Sequence, residues 1–251
     1  MLIKIFNKLK NFLIYFLKII YYISDLFYYK RKINKEIKQQ YPLKLMPVIE
    51  VNNQSGIVSK HYFFQDLWAA KKIYASGVKE HYDVGSSLEG FLAHVSIFCY
   101  VNTVDIRPQN LQVDNIFFIK KDFLETDFLE NSIESLSCLH VAEHIGLGRY
   151  GDKLDPFGTE KIIQKLQNIL TTNGNLYFSV PIGKQKTCFN AHRIFYAQTI
   201  INLFDKLDLK SFSAVNDGNK LIQNASLHDF DNAKYSCGLF HFTKNQLSTF
   251  N

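Results

Sequence analysis

Between Glu80 and Phe91 the chain reads Glu80-His81-Tyr82-Asp83-Val84-Gly85-Ser86-Ser87-Leu88-Glu89-Gly90-Phe91, a pattern that few folds accommodate. It describes a buried strand ending in an acid, then a tight glycine and hydroxyl turn, then the first turn of a helix. Leu88, Phe91, Leu92 and Val95 recur there at helical spacing. Such a junction suits a nucleotide-type ligand: Gly85 has no Cβ to hold backbone away, and exposed helix N–H groups donate to polar or anionic atoms. Two phosphate-binding versions fail on their letters. Gly85 and Gly90 have P-loop spacing, but Phe91 and Leu92 stand where Lys and Ser/Thr must reach phosphate and magnesium. The dinucleotide fingerprint fails because Ser87 occupies its second glycine position.

The Asp83-Val84-Gly85-Ser86-Ser87 turn resembles motif I of class I S-adenosylmethionine-dependent methyltransferases, with Ser87 replacing the usual second glycine. That resemblance implies cofactor contacts from Asp83, Gly85, Ser86 and Ser87. About twenty residues on, Val101 to Pro108 is a β-rich run containing Asp105 and Ile106, where a ribose-binding carboxylate at the end of a second strand is expected. The plain alternative for Asp105 is a solvated turn acid before Pro108.

Alternating segments follow. Val113–Ile119 is a third strand, Ser132–His140 a fourth and Asn175–Val180 a fifth. Helices are expected over His61–Ala75, from about Gly158 to Leu170, and over Ala191–Leu207. Leu209–Val215 and Tyr235–Thr243 form the last strands, joined by an asparagine-rich, hairpin-like return. Alternation of this kind predicts an α/β, doubly wound, mostly parallel seven-stranded sheet of Rossmann-like character with a terminal antiparallel pair. With 47% hydrophobic residues a packed core is assured. Four dispersed cysteines give neither a zinc ribbon nor a disulfide framework, so no metal is expected and a reducing cytoplasm fits.

Charge separates the chain into residues 1–40, a basic amphipathic helix and linker, and 41–251, the folded α/β domain. The first segment carries nine Lys/Arg and two Asp/Glu, leaving the remainder near −1 and giving no reason to expect nucleic acid. Lys4, Asn7, Lys8, Asn11, Lys18 and Asp25 draw a narrow polar stripe on an otherwise aromatic and aliphatic helix. No uninterrupted apolar run reaches bilayer-spanning length. An interfacial helix on the anionic inner face of the membrane is the preferred reading of residues 1–32, beside packing on protein or a tilted span. Lys30–Gln40 reads as a charged linker.

The combination His81–Ser87, Asp105–Pro108, His140-Val141-Ala142-Glu143-His144-Ile145-Gly146-Leu147-Gly148-Arg149-Tyr150-Gly151 and Asn190-Ala191-His192-Arg193 is similar to domain-of-unknown-function family 268 over roughly residues 60–245. That family looks methyltransferase-like and, in bacteria, associated with surface-polysaccharide loci. The resemblance implies S-adenosylmethionine as cofactor and a small-molecule or glycan acceptor. It also places His140 and Asp122, an adenine acceptor or else a loop acid, in the cofactor cleft. His144 is a candidate general base, Glu143 its orienting group, and His192 faces the same cleft. Arg149 and Arg193 are candidates for holding the acceptor, although Arg193 could equally pin a loop. Two rivals remain. One is a non-catalytic module organising polysaccharide enzymes at the membrane. The other reads His140-x-x-Glu143-His144 as an inverted zinc-hydrolase motif.

Overall fold

The computed structural model describes residues 2–48, 58 and 60–245, and the chain divides into two compact units, Met1–Ile57 and Val58–Asn251. In the first, α1 (Leu2–Lys32) ends on Lys30, Arg31 and Lys32. Within its Lys8–Lys32 portion an 18-residue window reaches mean hydropathy 1.3, so by length and composition the helix could cross a membrane, although charges flank and interrupt it. The stretch read as a linker is partly helical: α2 (Lys35–Gln40) forms because the Asn34 side chain accepts from Ile37 N–H at 2.8 Å.

The second unit is built on β1 (Glu80–Val84), β2 (Tyr100–Asp105), β3 (Ile116–Lys120), β4 (Ile133–Leu139) and β5 (Leu170–Ile182), all parallel, in the order β3-β2-β1-β4-β5. Apart from this sheet, β6 (Lys186–Cys188) pairs antiparallel with β7 (His192–Ile194). The main sheet continues antiparallel through β10 (Ser236–Thr243) to β8 (Asp208–Val215). An eighth strand, β9 (Leu221–Ile222), adds two residues at the edge, inside the return expected to be a simple connection. The architecture is therefore the doubly wound α/β sheet expected, one short strand larger.

Helices cover both faces because the strands are apolar on both. On one face α3 (Lys60–Ser76) lays Trp68, Ala69, Ala70 and Ile73 against Val101, Leu139 and Leu239. On the other, α5 (Gly158–Ile169) and α6 (Ala197–Leu203) bury Ile162, Leu166 and Ile200 against Phe178, Val180 and Phe240. Truncating Leu166 to alanine in such packing costs about 2–5 kcal/mol. The helix expected across Ala191–Leu207 is interrupted: Asn190 at φ +57° turns the chain, so His192–Ile194 pairs back on Lys186–Cys188 before α6 begins.

Candidate functional site

The strand order reverses between β1 and β4, and a cavity of about 760 Å³ opens at their carboxyl ends. Gly85 to Gly90 line one side of it; Asp105, Ile106 and Asp122 line another, and His140 and His144 stand beyond β4. Gly85 sits at φ +68°, a left-handed conformation that favours glycine, and an added Cβ would press on Val141 Cγ2 at 3.1 Å. The expected helix after the turn begins as a wider π-type turn, Leu88–Leu92, in which Leu92 N–H bonds to Ser87 O at 3.3 Å. It continues as α4 (Ala93–Val95), and Phe91, Leu92 and Val95 are buried as their spacing predicts.

The two strand-end acids differ. Asp83 is buried and accepts from Ser86 N–H at 3.0 Å, Ser86 Oγ at 2.7 Å, Thr103 Oγ1 at 3.0 Å and Ser137 Oγ. Burial pushes its carboxyl up, against the hydrogen bonds that favour the charged form. Its acceptor positions are spent on the protein itself, and Asp83 shapes the turn without lining the cavity. Asp105 does line the cavity, but its carboxylate is clasped by Arg107, whose backbone N–H donates at 2.8 Å and whose Nε donates at 3.0 Å. Arg107 also donates to Gly85 O at 3.1 Å and lies 5.1 Å over the Tyr150 ring. Asp122 lines the cavity while capping a short helical turn through Leu124 N–H at 2.9 Å.

The sequence reading missed Asp66. It projects from α3 into the cavity, is nearly fully buried, and has Gln65 Nε2 as a donor at 3.1 Å. A Cβ on Gly90 would collide with its Oδ2, so Gly90 makes room for this carboxylate. Burial raises Asp66 to about 6, partly offset by Gln65. One signal was available: Asp66 shares the helical stripe of Ala69, Ala70 and Ile73, an acid on the buried face.

Beyond β4 the residues after His140 form a turn-rich loop with no helix, so His140 and His144 do not take the one-turn spacing that the zinc-hydrolase motif needs. His140 Nδ1 meets Glu143 Oε1 at 2.7 Å, and buried Glu143 lies 3.6 Å from His144 Nε2. Burial opposes charging of His140, yet Cys237 and Glu143 beside it raise its pKa well above the usual value. His144 is held by Nδ1 against Ala191 O at 2.6 Å, and burial lowers its pKa, keeping it neutral at pH 7. His192, on β7, is half-buried against Tyr235 and is likewise lowered by burial. Arg149 donates to Ala191 O at 3.0 Å, at the same loop.

Arg193 takes the loop-pinning arrangement that stood as the alternative to holding the acceptor. It is buried and donates to Ile145 O at 2.7 Å, Thr159 Oγ1 at 3.1 Å and Pro156 O at 3.3 Å, pinning the loop from beneath. Its guanidinium has found backbone carbonyls, which no motif displays.

Residues 107–239 match the family model described as "Caenorhabditis protein of unknown function, DUF268", a narrower span than the motifs suggested and one beginning just after Asp105. Curated proteins yield no match. Among solved structures, the chain is similar to the N-methyltransferase NodS from Bradyrhizobium japonicum WM9 in complex with S-adenosyl-L-homocysteine. That likeness has 15% identity and a TM-score of 0.52, covering 78% of this chain and 94% of that one. It is also similar to the Burkholderia thailandensis 1,6-didemethyltoxoflavin-N1-methyltransferase with bound S-adenosylhomocysteine, at 11% identity and TM-score 0.52, covering 73% and 80%. A third likeness, to the [4+2]-cyclase SpnF, has 10% identity and TM-score 0.50 over 72% of this chain and 80% of that one. At these identities the likeness is one of fold.

Proposed function

The chain belongs to the DUF268 family, and from that premise we propose that it is an S-adenosylmethionine-dependent methyltransferase acting on a hydroxyl of a sugar or surface-glycan precursor. The observation that carries the reading is the cavity at the strand-order reversal, with glycines where side chains would fill it and a buried carboxylate, Asp66, at its wall. Gly85, Ser86 and Ser87 would cradle the methionine portion, and Asp66 would take its ammonium group. Asp105 would receive the ribose hydroxyls, beside Ile106 and Asp122 at the base. S-Adenosylmethionine supplies an electrophilic methyl group.

The chain's own part is to hold the acceptor and take up its proton. His144 suits that step. With Nδ1 against a backbone carbonyl, the neutral ring leaves Nε2 as its basic atom, and Glu143 at 3.6 Å stabilises the imidazolium once formed. Arg149 and His192 stand at the same rim. Under this reading α1 lies on an anionic membrane surface at the inner face. Its apolar Lys8–Lys32 portion and terminal Lys30, Arg31 and Lys32 support that placement.

A specific contact favours a second reading, a methyltransferase-like module that organises polysaccharide enzymes without turnover: Arg107 already clasps both carboxylate oxygens of Asp105. Calorimetric titration of the full chain with S-adenosylmethionine and S-adenosylhomocysteine separates the two. Saturable binding of both, followed by transfer of labelled methyl to a glycan precursor, is the expected result. Failure to bind either ligand overturns the enzyme.

A further inference from the structure

His61 at the start of α3, His140 directly after β4 and Cys237 near the start of β10 come from three remote parts of the chain. All three are buried, and each offers a ligand-type atom within 4.8 Å of the other two. We propose that this trio is a transition-metal site, with Zn²⁺ as the ion its two imidazoles and one thiolate best suit.

Three further features point to an ion. His140 Nε2 is buried and, among the described residues, has no hydrogen-bond partner, which is unfavourable when nothing compensates it. The other ring nitrogen faces Glu143 Oε1 at 2.7 Å. Zinc-binding histidines are oriented this way: the carboxylate takes the Nδ1 proton and leaves the Nε2 lone pair for the metal. Finally, His140 holds φ +55°, a left-handed conformation that persists where the surrounding structure over-determines it and that clusters at ligand sites.

Charge agrees as well. Glu143 is buried, its Oε2 without a partner among the described residues, and a dication bound to one thiolate beside that carboxylate sums to zero. Cys237 Sγ reaches Gln65 Oε1 at 4.0 Å and Gly238 O at 3.8 Å, both long, and otherwise stands beside His140 itself, so ligation displaces no strong bond to another group. Tetrahedral zinc places N and S ligands roughly 3.4–3.6 Å apart, so the side chains close by about 1 Å on binding. Three protein ligands leave a fourth position for water or an oxygen of a bound molecule. His140 also lines the large cavity, which puts the ion at the edge of the candidate active site. The site stands whether or not the protein transfers methyl groups.

The test uses the full chain without a histidine tag, stripped by chelator and titrated with Zn²⁺ or Co²⁺. One equivalent is expected, and the Co²⁺ form should show tetrahedral ligand-field absorption with a thiolate charge-transfer band. Cys237→Ser should abolish that band, while Cys188→Ser, on half-exposed β6, should leave it intact. Glu143→Gln should weaken the ion by about 10- to 100-fold. A stripped protein that takes up no ion, or an ion retained equally by His61→Ala and Cys237→Ser, overturns the site. If Cys237→Ser does not fold, the wild-type and Cys188→Ser spectra still decide: a thiolate band absent from the wild type, or lost in Cys188→Ser, refutes ligation by Cys237. None of these readouts depends on S-adenosylmethionine.

Discussion

Asp66 offers the sharpest test of the cofactor site, because its ionisation is set near neutrality by the fold. Burial raises its carboxyl to about 6. A cationic ammonium requires the charged form, so roughly one tenth of the protein is competent at pH 5 and nine tenths at pH 7. Affinity for S-adenosylhomocysteine should therefore rise about tenfold across that range, with about half a proton released per ligand at pH 6. Calorimetry in buffers of different ionisation enthalpy reads both quantities. Asp66→Asn should flatten the pH profile and weaken binding at pH 7 by about 10- to 100-fold, the worth of a charge-assisted hydrogen bond. Stability should move the other way. A carboxyl raised in the folded state binds its proton more tightly there, so the wild type loses stability as pH climbs from 3.8 to about 6. By linkage, Asp66→Asn should be more stable at neutral pH by up to about 3 kcal/mol. A pH slope that survives in Asp66→Asn would refute the assignment, and so would its absence in the wild type.

Other residues give independent checks. Asp105→Ala should weaken S-adenosylhomocysteine at least about tenfold, because two acceptor oxygens are lost and Arg107 is left without its partner; unchanged affinity in the same titration removes the ribose role. His144→Ala should bind cofactor normally and transfer labelled methyl at least about 100-fold more slowly, the typical contribution of a general base, and full activity would exclude it. His81, fully buried between Ser135 Oγ and Ser137 Oγ, is lowered to about 3. Its contribution is intact above pH 6.5 and lost as pH falls toward 3, by about 2–3 kcal/mol at pH 4.5; denaturant melts should show that acid slope reduced in His81→Gln. Deleting residues 1–32 should release the protein from anionic vesicles in sedimentation assays, with the intact chain released by salt, and a truncated form that still sediments would place the anchor elsewhere.

The fold could be read from the letters because its information is local. β1, β4, α3 and α5 fall within a residue or two of their expected spans, since burial on both sheet faces writes continuous apolar runs into strands and a 3.6-residue period into helices, whereas β5 begins at Leu170, five residues before the expected Asn175. The exceptions have local causes as well. Asn190 and Asn34 each perform a backbone task, a left-handed turn and a helix cap, that periodicity cannot see.

Site chemistry was harder to read because it depends on register between strands remote in sequence. Asp83 and Asp105 end adjacent strands and carry the same functional group, yet their surroundings assign them different work. Asp83 pairs in register with Thr103 on β2 and Ser137 on β4, so hydroxyls from both neighbours reach its carboxylate. Asp105 has the β3 edge beside it, where Lys120 is its register partner, and its carboxylate turns instead to Arg107 two residues on. A central strand-end acid thus becomes part of the frame, while its neighbour stays at the cavity wall. The same logic separates Arg193 from Arg149, and it joins His140 to Cys237. β10 runs antiparallel to β5, which brings its first residues to the edge where β4 ends, almost a hundred residues earlier in the chain. No spacing rule connects those positions. Only the sheet order does, which is why a ligand set invisible as a motif becomes visible as a place.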